Sequence, residues 1–535
     1  MFLKRNPKVF LILLTIVLLL GYLLIPRSAM VHTTKKPADD HPREMIKVVD
    51  GQTGKPIEEA FITSNAGVQQ TDENGLCSID IGVNKVAVRA HGYLRAEKVI
   101  TSPQPQEEKS VSFPLKALYI SLQEMLSEDH PQKIKVSPQE IKLMPFTPKA
   151  LYLSFYGIGH KPIRETALEL LRETELNALV IDVKGDRGMI SYRSEIPLAS
   201  EVGAQKVITI KDIDGLIRSF RENGIYTIAR IVVFKDNLLA LKKPDLAVKT
   251  ENGGIWYDRE ELAWIDPFKK EAWDYNIQIA LEAAKHGFDE IQFDYVRFPD
   301  GSSPQFSMPN TKVNRVNAIS GFLMEAKKKL LPYNVFLSAD IFGYVCWNLN
   351  DTYIGQMLEA IAPHLDYLSP MLYPSGFQYG IPGYRIPVRN PYEIVYLSLK
   401  RAQERTLLTS VRFRPWLQAF RDYAFDKRCF REKEIRDQIN AGEKFGSHGW
   451  MLWNPQNVYS RIGLKRKGAS EYAFQAPGQF VKGREGSNST KDTKEGGTMA
   501  DLGQEQVSVF DFLQMGSESM MDQGAVTMGE QYPSE

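Results

Sequence analysis

Four patterns of apolar spacing succeed one another along this chain, and each predicts a different kind of unit. The first is an uncharged run from Val9 to Pro26, rich in Leu, Ile and Val, preceded by Lys4, Arg5 and Lys8. About 17 consecutive apolar residues sit at the lower limit for spanning a bilayer and are long for the core of a signal peptide. The basic flank places the N-terminus inside and the remaining chain outside. Pro26-Arg27-Ser28-Ala29-Met30 offers no small-x-small cleavage site. Residues 1–30 are therefore expected to be a single-pass membrane anchor, with a cleaved signal and a secreted chain as the alternative. In both cases the bulk of the protein is extracytoplasmic.

Residues 31–44 are polar and contain proline, as a linker does. Between 45 and 118 the apolar runs shorten. Met45–Val49, Phe61–Ser64, Val86–Ala90 and Val111–Leu115 read as strands, with Asp50-Gly51, Thr53-Gly54, Asn74-Gly75 and His91-Gly92 as turns. That is the cadence of a small all-β sandwich. Residues 119–146, with Pro131, Pro138 and Pro145, read as a second linker.

From 147 to 464 strand-length apolar runs alternate with helical patterns. The runs are Ala150–Phe155, Ala178–Val183, Ile225–Val233, Glu290–Val296, Val335–Ile341, Tyr367–Leu372, Trp416–Phe420 and Trp450–Trp453. Helices are predicted at Ile163–Glu173, Ile213–Asn223, Lys270–Lys285, Ala318–Leu330 and Pro391–Glu404. Eight strands with intervening helices over this length predict an α/β fold, the (β/α)8 TIM barrel. An open doubly wound sheet is the alternative, but no glycine-rich phosphate loop follows any strand. Beyond Lys465 large apolar residues become scarce, and 465–535 is expected to be a disordered tail. Val507–Met515 is the one stretch there that could serve a partner.

Composition narrows the function. The chain of 535 residues is 43% hydrophobic and 10% aromatic, enough to bury a large core and to exclude wholesale disorder. Lys and Arg (66) balance Asp and Glu (65), so the basic surplus of a dedicated nucleic-acid binder is missing. Cys77, Cys346 and Cys429 lie far apart and the eight histidines are scattered, which argues against a zinc site or a disulfide framework. No cofactor is implied, and no feature of the sequence fixes an oligomeric state.

In an α/β barrel the reactive groups stand at the C-terminal ends of the strands. The second run closes on Asp182 and Lys184, the third carries Arg230, and the fourth reads Gln292-Phe293-Asp294-Tyr295-Val296-Arg297. The fifth closes on Asp340, the sixth on Tyr373, and the last two hold Gln418 and Trp453. Residues two apart share a face, so Gln292 goes with Asp294, Asp182 with Lys184 and Ser338 with Asp340. Turning the carboxylates inward leaves the apolar alternates against the helices.

Three carboxylates, several cations and aromatic rings then converge on one mouth. Hydrolysing a glycoside needs two carboxyl groups, and sugars need flat rings and hydrogen-bonding side chains. Asp294 is the candidate nucleophile or general base and Asp340 the candidate general acid, with Asp182 in reserve. Asp182, Lys184, Arg230, Gln292, Arg297, Tyr373, Gln418 and Trp453 are candidates for holding the sugar. Structural roles compete: Asp182 can pair with Lys184 or Arg230, and Arg297 can clamp a carboxylate. The aspartates could also hold Mg²⁺, and His160 lies just past the first strand.

The stretch Phe288-Asp289-Glu290-Ile291-Gln292-Phe293-Asp294-Tyr295-Val296-Arg297-Phe298-Pro299 resembles the fourth-strand signature of a bacterial glycosyl hydrolase-like family of unknown function. Asn177–Lys184, Ile228–Arg230, Ser338–Gly343 and Ser369–Ser375 resemble further blocks of the same family. The likeness covers about 149–460. It implies a glycoside-hydrolase-like barrel in which Asp294 matches the acidic residue ending the fourth strand. Val49-Asp50, Thr53–Ile57, Ala60, Thr71-Asp72, Gly75 and Ala90–Tyr93 resemble the carboxypeptidase regulatory-like (transthyretin-like) domain, a spacer or binding module. The expected activity is hydrolysis of an extracytoplasmic polysaccharide. A non-catalytic cell-surface glycan-binding or scaffolding protein is the rival.

Overall fold

The computed structural model describes residues 43–80, 85–100, 138–301 and 303–468. The N-terminal apolar segment, the Val111–Leu115 strand and the C-terminal tail lie outside the described residues. Among the described residues no helix is long and apolar enough to cross a membrane.

The N-terminal unit is built from two sheets. In the first, β1 (Arg43–Asp50) pairs antiparallel with β4 (Leu76–Asp80) and parallel with β7 (Gln139–Leu143). The second has the order β3-β2-β5-β6, from β2 (Phe61–Ser64), β3 (Gly67–Gln70), β5 (Lys85–Arg89) and β6 (Ala96–Val99). Ile46, Val48, Ile62, Ile79, Val86, Val88, Ile141 and Leu143 form the core of the unit. β7 corrects the sequence reading, which placed 119–146 in a linker. Ile141 and Leu143 alternate with Glu140 and Lys142, but prolines on both sides leave room for only five residues of that pattern.

This unit is docked onto the barrel at the N-terminal ends of its strands. Arg95 donates to the Asp289 carboxylate at 2.7 and 3.2 Å, to Gly287 O at 3.2 Å and to Asn334 O at 2.9 Å. The Gly92 amide reaches the Tyr367 hydroxyl at 3.3 Å, and His91 stands 3.4 Å from Asp366.

The barrel itself is closed in the order β10-β11-β12-β13-β14-β15-β8-β9, every neighbouring pair parallel. Its strands are β8 (Lys149–Leu153), β9 (Ala178–Lys184), β10 (Tyr226–Val232), β11 (Glu290–Asp294), β12 (Phe336–Phe342), β13 (Tyr367–Met371), β14 (Trp416–Gln418) and β15 (Trp450–Trp453). The longer outer helices are α1 (Lys161–Glu173), α2 (Ile213–Glu222), α3 (Lys270–Lys285), α4 (Lys312–Leu330), α5 (Pro391–Thr406) and α6 (Glu432–Phe445). Local chemistry starts and stops them: Asp212 caps α2 by accepting from the Gly215 amide at 2.8 Å, and α6 ends on Gly446 at φ +84°.

The two-residue period sorts the strand residues into separate cores. Ile181, Ile231, Phe293, Ala339 and Ile341 pack outward with the helices, among them Leu170 and Phe322. Ala150, Tyr152, Val180, Ile228, Phe336 and Trp416 fill the interior. The interior also buries a charge the sequence reading missed. Glu290 accepts from Arg414 at 2.6 Å, the Ser338 hydroxyl at 2.6 Å and the Tyr226 hydroxyl at 3.0 Å. Full pairing is what makes a buried carboxylate tolerable. Glu290 lies two residues before Gln292 and four before Asp294, so period two already pointed it inward.

Candidate active site

Arg230 organises the mouth. It projects from the C-terminal half of β10, between β9 and β11. Its guanidinium donates to Asp182 Oδ1 at 2.6 Å, and its Nε donates to Asp294 Oδ2 at 3.0 Å while Nη2 engages the same oxygen. The Nε also stands 3.8 Å from Asp340 Oδ2. Burial works against the guanidinium charge, but Asp182 and Asp294 hold it well above its ordinary range. One cation thus gathers the three carboxylates that the strand ends nominated.

Each carboxylate has further partners. Asp182 Oδ2 accepts from the Tyr152 hydroxyl at 2.7 Å and the Phe155 amide at 3.3 Å. Asp294 Oδ1 accepts from the amide of Tyr295 at 2.5 Å, and Tyr295 itself adopts φ +47°. Asp340 Oδ1 accepts from Trp416 Nε1 at 2.6 Å. Asp182, Asp294 and Asp340 are 4, 5 and 1% exposed. Burial, and then the charge of Asp294, push the Asp340 carboxyl well up, with Arg230 opposing. Burial also raises Asp182 against the pull of Arg230.

Aromatic rings close the other side. Trp453 stacks on Tyr152 with centroids 3.9 Å apart, and both rings face Arg230, 5.0 and 5.5 Å from its guanidinium carbon. Tyr373 is buried against Phe420 at 5.7 Å, and its phenol is pushed well up by burial and then by the charges of Asp340 and Asp294. Asp182, Arg230, Asp294, Asp340, Tyr373 and Trp453 are thus brought together at the mouth.

The other nominated residues are placed elsewhere. Lys184 is fully buried, with its ammonium 2.7 Å from Asp236 and donating to Val232 O at 2.6 Å. The ladder shifts register here: Arg230 pairs with Asp182 but the next residue, Ile231, pairs with Lys184. The extra residue breaks the strict alternation that had put Lys184 beside Asp182. Gln418 donates to the Ser375 hydroxyl at 2.7 Å and accepts from its amide at 3.0 Å, fastening the segment after β13. Gln292 is buried beneath the carboxylates and donates to the Ser369 hydroxyl at 3.1 Å. Arg297 pairs with Asp300 at 2.9 Å and lies over the Trp264 and Tyr295 rings. His160 is exposed between the short helix Phe155–Gly159 and α1.

A second charged group was missed. Lys235, just past β10, is buried 3.1 Å from Asp258, 3.1 Å from Glu260 and 4.0 Å from Asp186, with its ammonium 5.2 Å from the Tyr295 ring. Burial pushes the Glu260 carboxyl up to about 7. The available signal was the length of the connection between β10 and α3, which carries Asp258 and Glu260 without any periodic pattern.

Chemically, the mouth offers a carboxylate ion-paired to arginine beside a carboxyl that burial pushes well up. Among the described residues no group of three or more His, Cys, Asp or Glu side chains is arranged to hold a metal ion.

Several solved structures are similar to parts of this chain. A hypothetical protein from Ruminiclostridium thermocellum is 42% identical over 36% of this chain and 96% of its own, with a TM-score of 0.32. The PgaB glycoside hydrolase domain from Bordetella bronchiseptica is 13% identical over 58% of this chain and 95% of its own, with a TM-score of 0.40. The spore cortex-lytic enzyme SleL from Bacillus megaterium is 12% identical over 70% and 87%, with a TM-score of 0.35. No curated protein matches the chain. Residues 150–459, more than half the sequence and the whole of the barrel wall, match the family described as "Putative glycosyl hydrolase domain", and the chain belongs to that family.

Proposed function

We propose that the barrel hydrolyses glycosidic bonds of an extracytoplasmic polysaccharide, with Asp294 as nucleophile or general base and Asp340 as general acid. The observation that carries this reading is the unequal setting of two adjacent carboxyls. Asp294 is ion-paired to Arg230, whereas burial, and then the charge of Asp294, push the Asp340 carboxyl well up. Two carboxyls in unlike environments are what acid/base cleavage requires. Both reach the same Arg230 nitrogen, at 3.0 and 3.8 Å. Their facing oxygens are therefore no farther apart than those two distances laid end to end. That favours the spacing of a retaining pair, about 5 to 5.5 Å, over most of the inverting range of about 6.5 to 9.5 Å.

Asp182, Arg230, Tyr373 and Trp453 would hold the sugar, and the Val9–Pro26 run would carry the barrel across the membrane, as an anchor or as a cleaved signal. The β unit would serve as its mount. The test is release of reducing ends from a polysaccharide panel by the wild type and by Asp294→Asn. A second reading, a cell-surface glycan binder without catalysis, is favoured by one feature: Arg230 already pairs with Asp182 and Asp294, and all three carboxyls are almost closed to solvent. Sugar binding that survives Asp294→Asn, with no cleavage by either protein, would select it.

A further inference from the structure

Among the described residues four aromatic side chains are exposed: Tyr156, Tyr257, Tyr353 and Tyr379, at 40, 47, 64 and 58%. Each lies on a segment that follows a barrel strand, respectively β8, β10, β12 and β13, and so on the face that carries the mouth. In the barrel order these strands bound a continuous arc from β8 through β9, β10, β11 and β12 to β13. Asp182, Asp294 and Asp340, on β9, β11 and β12, lie inside that arc. At the opposite end of the barrel, the connection from α5 to β14 exposes only the aliphatic Leu407 and Val411.

Tyr353 is held outward against its own backbone preference. Thr352 and Tyr353 are consecutive non-glycine residues in the left-handed region, at φ +54° and +59°. Such strain persists only where the surroundings enforce it, and it concentrates at functional sites. Here the enforcement is visible. Buried Asp351 accepts from Arg315 Nε at 2.7 Å, Arg315 Nη2 at 3.1 Å and the Gly355 amide at 3.1 Å, and Asn350 accepts from the Thr352 amide at 2.9 Å. The Arg315 guanidinium carbon sits 5.9 Å from the Tyr353 ring. Tyr379 is pinned similarly, its amide donating to the Tyr344 hydroxyl at 2.9 Å.

We propose that these tyrosines form a binding surface for a long polysaccharide strand laid across the mouth, with Tyr353 as its principal stacking platform. A phenol ring offers an apolar face to the C–H face of a sugar and a hydroxyl to its rim. Rings spread around an arc suit a polymer crossing it rather than a short oligosaccharide seated at one point. The proposal rests on the reading of the barrel as carbohydrate-active and adds to it an extended ligand and internal attack on the chain.

The test is affinity electrophoresis of the full chain against xylan, amylose, glycol chitin and soluble peptidoglycan, together with cleavage of the same polymers and of matching disaccharide aryl glycosides. Tyr353→Gly removes the ring while accepting the left-handed backbone, Tyr353→Phe keeps the ring, and Tyr379→Ala serves as an independent variant. We expect Tyr353→Gly and Tyr379→Ala each to weaken retention by the bound polymer about tenfold, Tyr353→Phe to retain it, and hydrolysis of the small glycosides to be unchanged. Polymer retention with no cleavage would keep the surface and remove the hydrolase reading. Cleavage with unaltered KM in Tyr353→Gly, or no retention of the wild type by any polymer, would overturn the surface.

Discussion

Replacing Arg230 by Met tests the electrostatic core of the account. Arg230 is 5% exposed and is ion-paired with Asp182 and Asp294, which are themselves closed to solvent. Removing one partner of a buried pair leaves an uncompensated charge and costs about 3–5 kcal/mol. With two carboxylates stranded the upper end applies, lowering the melting temperature on the order of 10 °C for a domain of this size. The effect has a definite pH dependence. Burial already raises the Asp182 carboxyl against the pull of Arg230, and without the guanidinium that pull is gone. A group raised in the folded state contributes fully below its unfolded pKa and loses that contribution as pH rises through the folded one. The deficit of Arg230→Met relative to wild type should therefore be small near pH 4 and large near pH 8, measured by thermal melts and urea titration at both. A deficit under about 1 kcal/mol, the range of an exposed pair, or one that does not change with pH, would refute the reasoning.

Three other outcomes follow from the same geometry. Asp340→Asn keeps an oxygen for Trp416 Nε1 and replaces a carboxyl that burial pushes well up, so stability at pH 7 should change by less than about 1 kcal/mol while cleavage is lost; melting curves and reducing-end assays check the two halves. Glu260 is raised to about 7, so the wild type loses its contribution as pH rises through 5 to 8, and Glu260→Gln should gain stability relative to wild type across that interval in thermal melts. Arg95→Ala removes the hydrogen bonds to Asp289, Gly287 and Asn334 at the far end of the barrel; it should cost about 1–3 kcal/mol in urea titration with kcat unchanged.

The barrel was legible because its strands are buried on both faces and alternate with stretches of helical periodicity. Glu290–Asp294 alternates acidic or amide residues with Ile291 and Phe293, and that alternation placed Asp294 inward without any structure. What the sequence concealed were interruptions of the alternation and contacts between distant segments. Lys184 shares Asp182's phase on paper, yet the register shift at Arg230/Ile231 and the pull of Asp236 take it away. Gln418 has the right chemistry for a sugar, but Ser375, brought near by the turn after β13, occupies both ends of its amide. Lys235 and Glu260 meet across a long excursion that has no period to read. β7 was hidden for the opposite reason: its pattern is regular but only five residues long. Its partner β1 lies some ninety residues upstream.

The most direct test of the central claim is the rate at which reducing ends appear when the wild-type protein and Asp294→Asn, matched for folding by circular dichroism, are given the same polysaccharide panel. Cleavage of one polymer by the wild type, reduced at least about a thousandfold in Asp294→Asn, is the predicted result, on the scale of losing a catalytic nucleophile. Equal rates in the two proteins, or no cleavage of any polymer that the wild type binds, would contradict it.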